Sequence, residues 1–456
     1  MTHRRLNPGK QALVLGGVLI ILLIAASPAG ARALAWTVTS KNNLILVSPG
    51  SQGIGGGSYA AISSRGRYVA FESYAADLAP GHIEDSWDVF VSDLDSSQTA
   101  RVSTRSDGQP VYNPGGYTSA PSMTGSGRYV AFMSRASDLV LGDDNAMPDI
   151  FLRDRQTETT TLVSAALDGG PANGPSFTPA ISADGRFVAF QSMASNLVEG
   201  DTNDAMDVFV RDVETGETRR VSITDSGEEG VSPYEYPSST IAISGDGRLV
   251  AFAYEGLPYP GLIYYGEHVY VRDQQANTTQ MIAPGRQPAF STDGGYLVFL
   301  TEAPLTKNDG NYLTDVYLFD RQTEELERIS LLEGSEPTEQ EILSAPDVSD
   351  DGRYVVYESN AGYLTGFTGS FNIYLRDRQL SQTIRIDRSM DGLQSVGESH
   401  NPVISDDGSR VAFTSTVGDL VPNDHNNASD VFVYLNNTPS IITTQRWYYL
   451  PLFMNN

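Results

Sequence analysis

Four segments of this 456-residue chain carry the spacing Asp-x-Asn-x-x-x-Asp: Asp143/Asn145/Asp149, Asp201/Asn203/Asp207, Asp309/Asn311/Asp315 and Asp424/Asn426/Asp430. Oxygen side chains alternating along a tight loop suit Ca²⁺, which takes about 6–8 oxygen ligands. The spacing matches part of a calcium loop but lacks the acidic ligand that completes an EF-hand. The same residues also serve as Asx turns at a strand start, bonding nearby backbone N–H groups. Both uses stay open, and calcium is the only cofactor the chain points to. A second group is aromatic. Tyr234, Tyr236, Tyr254, Tyr259, Tyr264 and Tyr265 fall in one stretch that lacks the Asp-x-Asn spacing. Exposed rings with polar tips form platforms for sugars or peptides; with Pro258 and Pro260 they would serve equally as a local plug.

Nothing comparable points to catalysis. The five histidines, His3, His82, His268, His400 and His425, include no pair at metal-ligand spacing, and no Gly-x-Ser-x-Gly elbow occurs. Acidic residues are frequent in the polar segments, so a glycoside hydrolase or lyase working through two carboxylates is the second reading. A binding module is the first.

The elements that must position these residues repeat seven times. A glycine turn opens a short strand ending in an aromatic residue, as in Arg65-Gly66-Arg67-Tyr68-Val69-Ala70-Phe71 and Asp184-Gly185-Arg186-Phe187-Val188-Ala189-Phe190. The turn glycines Gly66, Gly127, Gly185, Gly247, Gly294, Gly352 and Gly408 lie 61, 58, 62, 47, 58 and 56 residues apart. A period of roughly 40–60 residues built from short strands predicts a β-propeller. The expected fold is all-β, a seven-bladed β-propeller of four-stranded antiparallel blades. The last copy lacks a fourth strand. Leu44-Ile45-Leu46-Val47-Ser48 can supply it from the N-terminal side, with Ile441-Ile442-Thr443-Thr444 competing for the slot. Long loops then gather on one rim, where a protein or carbohydrate ligand is expected.

Residues 1–35 read as an export signal: Arg4, Arg5 and Lys10, then an apolar run from Ala12 to Ala26, then small-residue cleavage sites up to Ala35. An uncleaved anchor is the alternative. The propeller is expected over residues 36–435 with a tail over 436–456, placing the protein outside the cytoplasm: secreted, at the cell surface or periplasmic. The tail holds Trp447-Tyr448-Tyr449-Leu450-Pro451-Leu452-Phe453, read either as a retention signal or as a strap across the propeller edge. There is no cysteine, and net charge is −26. So acidic a chain repels nucleic acid, whose phosphates need Lys and Arg to displace counterions. The expected partners are therefore a protein or glycan, with the chain itself a monomer.

The motif Ser-x-Asp-Gly-Arg-aromatic-Val-Ala-Phe, followed by Asp-Val-Phe-Val-Arg-Asp and Arg-Val-Ser, resembles the WD40-like repeats of TolB-like bacterial propellers over about residues 44 to 434. TolB itself carries an α/β domain before its propeller and binds envelope partners. No such domain fits between residues 36 and 60, so that role is not implied. The turns also differ from the sialidase Asp-box, because glycine directly follows aspartate and no tryptophan comes after. Residues recurring in most copies, the turn Gly and Arg and the Arg-Asp pairs Arg153/Asp154, Arg211/Asp212, Arg272/Asp273 and Arg376/Asp377, are expected to hold the blades together.

Overall fold

The computed structural model describes residues 43–436 apart from 49–58, 76–77, 80–85, 110, 112–116, 231–239, 258–265, 308, 331–342, 361–369, 390–396, 423 and 425–427, and a short backbone pair, Ala12–Leu15 with Val18–Ile21. Seven four-stranded antiparallel sheets form a β-propeller. Blade three is representative: Ser176–Ile181, Phe187–Ser192, Asp207–Asp212 and Glu217–Arg220 pair in sequence order. Each blade packs a ring from its second strand on one from its third, as with Phe190 on Phe209 at 5.9 Å and Phe132 on Phe151 at 5.9 Å. Such pairs add about 0.5–1.5 kcal/mol beyond their area burial. The core lies between blades: Met133 and Ile150 of blade two cluster with Val188 and Phe190 of blade three.

The turn glycine has two reasons to be glycine. Gly185 sits at φ +82°, which a side chain rarely adopts, and a Cβ there would meet the Tyr129 ring of the preceding blade at 2.4 Å. Its neighbour Arg186 reaches across its own blade to Asp212, and the same bond recurs as Arg67–Asp93, Arg128–Asp154, Arg248–Asp273 and Arg353–Asp377. The arginine pairs with the aspartate ending the third strand, so the adjacent Arg-Asp dipeptides are not themselves ion pairs. Arg153, for instance, turns to the Thr160 hydroxyl and the Glu158 carbonyl.

Blade seven comprises Ser399–Ile404, Arg410–Ser415, Asp430–Leu435 and, from the N-terminal side, Leu44–Leu46. Leu44 faces Tyr434 and Leu46 faces Phe432 in the register. The clasp reuses the latch of the other blades. In blade two Ser164 donates to Asp149 and accepts the Ile150 N–H; in blade seven Ser48 donates to Asp430 and accepts the Val431 N–H, both at 2.9 Å. Residues 441–444, the competing segment, lie outside the described residues.

In five blades the first strand is five or six residues long, as in Ser176–Ile181 of blade three. These strands run through a β-bulge at a residue of positive φ that precedes proline: Ala120, Thr178, Gln287, Ala345 and Asn401. The irregularity recurs in five blades, so it belongs to the blade and not to one site.

Candidate functional site

Glycine turns join first to second strands, and short turns join third to fourth, on one face. The loops from second to third strand and between blades therefore open on the other. At that rim, where blade one meets blade two, four rings gather. Tyr59 precedes the first strand of blade one (Ala60–Ile62), Tyr74 follows its second (Tyr68–Ser73), Trp87 precedes its third (Asp88–Asp93), and Tyr117 precedes the first strand of blade two (Thr118–Met123). Trp87 contacts Tyr74 edge-on at 5.2 Å and Tyr117 at 6.2 Å. Tyr59 is 47% exposed and Tyr117 39%, so both present aromatic surface to solvent.

Beside these tyrosines lies Glu72, wholly buried. The backbone amides of Ala120 and Tyr59 are its nearest donors, yet neither carboxyl oxygen completes a well-aligned hydrogen bond. Burial pushes its pKa up to about 8, against which those amides act only weakly. It therefore holds its proton at neutral pH. Burial, then the proximity of Glu72, raises the pKa of both tyrosine hydroxyls.

The equivalent residue of blade six is Glu358, and its surroundings differ. Ser344 donates to it, the Asn401 N–H donates at 2.8 Å, and the His400 ring lies 3.4 Å away. Burial opposes its ionisation, but these donors outweigh it and lower its pKa, while the hydrogen bond to Glu358 raises that of His400. Blade two has Ser119 and Ala120 where blade seven has His400 and Asn401, which leaves Glu72 poor in partners.

The expected tyrosine platform fares differently. Tyr254 is buried, with its ring edge-on to Phe252 and its hydroxyl 3.3 Å from Asp207, so neither face is open to a ligand. The reason is register: it closes the second strand of blade four (Leu249–Tyr254) and turns towards blade three. Burial followed by the Asp207 charge raises its pKa far above the phenol range. Tyr234, Tyr236, Tyr259, Tyr264 and Tyr265 lie outside the described residues. Sequence reasoning missed Tyr59, Glu72, Trp87 and Tyr117. Two signals were present: Trp87 is the one tryptophan of three within the repeats, and Glu72 is charged where four sister strands have Met133, Ala253, Leu300 and Thr414.

The Asp-x-Asn loops close on themselves. Asn145 donates to Asp149 at 2.8 Å and to the Ala172 carbonyl at 3.0 Å, and it accepts the Met147 N–H. Asn203 repeats this with Asp207 and the Gly230 carbonyl, and Asn311 accepts the Leu313 N–H. Asp424 and Asp430 are buried, whereas Asn426 is not among the described residues. Burial, then the nearby Asp149, pushes Asp143 up to about 6; burial and Asp207 do the same to Asp201. Among the described residues no three acidic, imidazole or thiol groups converge as around a fully protein-ligated metal. On the opposite face, Arg186, Asp212, Arg219 and Gln274 border a depression of about 130 Å³, well below the roughly 300 Å³ of a small ligand site.

No protein-family model matches the sequence, and no curated protein is significantly similar to it. Solved structures share the architecture. The β-propeller domain of the Trilobed protease from Pyrococcus furiosus matches with a TM-score of 0.50 at 10% identity, covering 84% of this chain and 94% of that one. It is described as an open velcro topology, whereas here Leu44–Leu46 closes the last blade. An oligogalacturonate lyase from Vibrio parahaemolyticus gives 0.49 at 12% identity over 86% of this chain and 92% of that one. TolB from Acinetobacter baumannii gives 0.38 at 12% over 82% and 81%. At these identities the likeness concerns the fold alone.

Proposed function

We propose that this is an exported, non-catalytic binding module that takes a glycan or protein segment on the rim at blades one and two. Export rests on residues 1–35, with their basic start, apolar run and small-residue cleavage sites. The binding site rests on one observation: Tyr59 and Tyr117 are half exposed on that rim, Tyr117 against Trp87, with an unsatisfied carboxyl beside them. Rings supply flat apolar contact, and Glu72, buried beside them and protonated at neutral pH, sets no negative charge behind that surface. A second reading has one supporting feature: a carboxyl that keeps its proton at neutral pH is also what a general acid needs, though a hydrolase or lyase requires a second carboxylate across the bond.

The test is a glycan and peptide screen on the full chain without residues 1–35, followed by titration of any ligand found. Replacing Tyr59 and Tyr117 by Ala should weaken binding about tenfold or more. Unchanged affinity in that variant, with loss in Tyr259→Ala/Tyr264→Ala, would move the site to blade four. Cleavage of any ligand during the screen would favour the enzyme.

A further inference from the structure

Where a third strand begins with a buried acid, the chain usually supplies an arginine from the fourth strand. Arg101 lies 3.3 Å from Asp88 in blade one. In blade three Arg220 lies 3.0 Å from Asp201 and 3.3 Å from Asp207, with Glu229 also in contact. In blade five Arg328 lies 2.9 Å from Asp315 and 3.7 Å from Asp309. Blade six begins its third strand with Asn372 and carries its acid just after the fourth strand (Gln382–Arg385), where Arg385 lies 2.8 Å from Asp387. Blade four has lost both partners together, with His268 and Met281 in their places. Charge thus covaries inside one chain, as burying a carboxylate without compensation demands.

Blade two breaks this rule. It keeps both acids of the loop, Asp143 and Asp149, but Leu162 stands where the arginine would be. Asp143 is 5% exposed, and its Oδ1 is buried with no hydrogen-bond partner. Asp149 is fully buried, held by Ser164 and Asn145, which are both neutral. We infer that blade two holds a divalent, oxygen-seeking cation, Ca²⁺, between Asp143 and Asp149, at the position blades three and five fill with a guanidinium. Two carboxylates match its charge, and water completes the shell, since the loop gives fewer oxygens than Ca²⁺ accepts. Ligands so few place the affinity in the weak range of extracellular sites, about 10⁻⁴–10⁻³ M. Blades three and five take no metal because Arg220 and Arg328 occupy the place.

The experiment is calorimetric titration of the full chain with Ca²⁺, comparing wild type, Leu162→Arg and Asp143→Asn. Blade seven also carries a leucine, Leu46, at the arginine position, so the readout is the difference between proteins, not the absolute stoichiometry. Each variant should take up one equivalent fewer than wild type. With Ca²⁺ about tenfold above its dissociation constant, the melting temperature of wild type should rise by about 2 °C more than that of either variant. Leu162→Arg should also melt above wild type in chelator, since it brings its own cation. Equal uptake by wild type and a folded Asp143→Asn overturns the site, as does a wild type that takes up no Ca²⁺. If Leu162→Arg fails to fold, the Asp143→Asn comparison decides alone.

Discussion

Glu72 shows how much one side chain changes when its neighbours are removed. Its counterpart Glu358 has a serine, a backbone amide and a histidine, whereas Glu72 has two poorly aligned amides. In the unfolded chain it loses its proton near its ordinary value of 4.5; in the fold it keeps it to about pH 8. Between these values the folded state binds more protons than the unfolded one, so stability falls as pH rises from about 4.5 to 8 and levels off above. The slope from this residue is at most about 1.4 kcal/mol per pH unit. Urea unfolding at half-unit steps from pH 5 to 8 should show a steeper decline for wild type than for Glu72→Gln. Parallel profiles would mean that the carboxyl is already satisfied. Little of this was legible beforehand. A glutamate after Tyr-Val-Ala-Phe reads as one more strand residue, and its isolation depends on Ser119 and Ala120, nearly fifty residues later. Tyr254 misled for the converse reason: its loop is polar and aromatic, but its strand turns it inward onto Asp207.

At the scale of the element, the turn and the latch carry the blade. Gly185→Ala combines a positive φ with a Cβ placed 2.4 Å from the Tyr129 ring. It should cost about 1–3 kcal/mol, measured by denaturant midpoint, because the ring must leave its packed position. Ser164→Ala removes both the donor to Asp149 and the acceptor for the Ile150 N–H. Leaving those buried groups unpaired should also cost about 1–3 kcal/mol. Ser48→Ala should cost a similar amount in blade seven, although its partner is 382 residues away in sequence. A negligible effect there would mean that the clasp contributes little. The turn was readable because Asp-Gly answers a local demand that recurs; the Val-Ser that follows most fourth strands was legible as a recurring segment, but its bond to the third-strand aspartate was not. Nor were the proline bulges of the first strands. Positive φ at Ala120 or Gln287 is not a conformation that alanine or glutamine favours, so the residue type does not announce it.

At the scale of the whole molecule, the six spacings between seven turn glycines sufficed to predict the ring, and the fourth strand missing from the last copy pointed to its N-terminal closing strand, since a propeller has few ways to hide its edges. The ligand rim was harder to place. A repeat reports what the blades share, while a binding surface is made of what they do not. Removing residues 1–48 should leave Asp430–Leu435 as an open edge, and the truncated chain should associate or aggregate in size-exclusion chromatography with light scattering. A truncated monomer of unchanged melting temperature would show the clasp to be dispensable. Closure also has a mechanical consequence. Asn43 and Leu435 are hydrogen-bonded neighbours, the Leu435 N–H donating to the Asn43 carbonyl at 2.8 Å, and the strands run antiparallel from there. Tension applied between the two flanking segments would load the clasp one hydrogen bond at a time, as a zipper is pulled. It should peel at low force, before any blade unravels. Pulling from a point inside blade four would instead have to tear a packed blade, at much higher force.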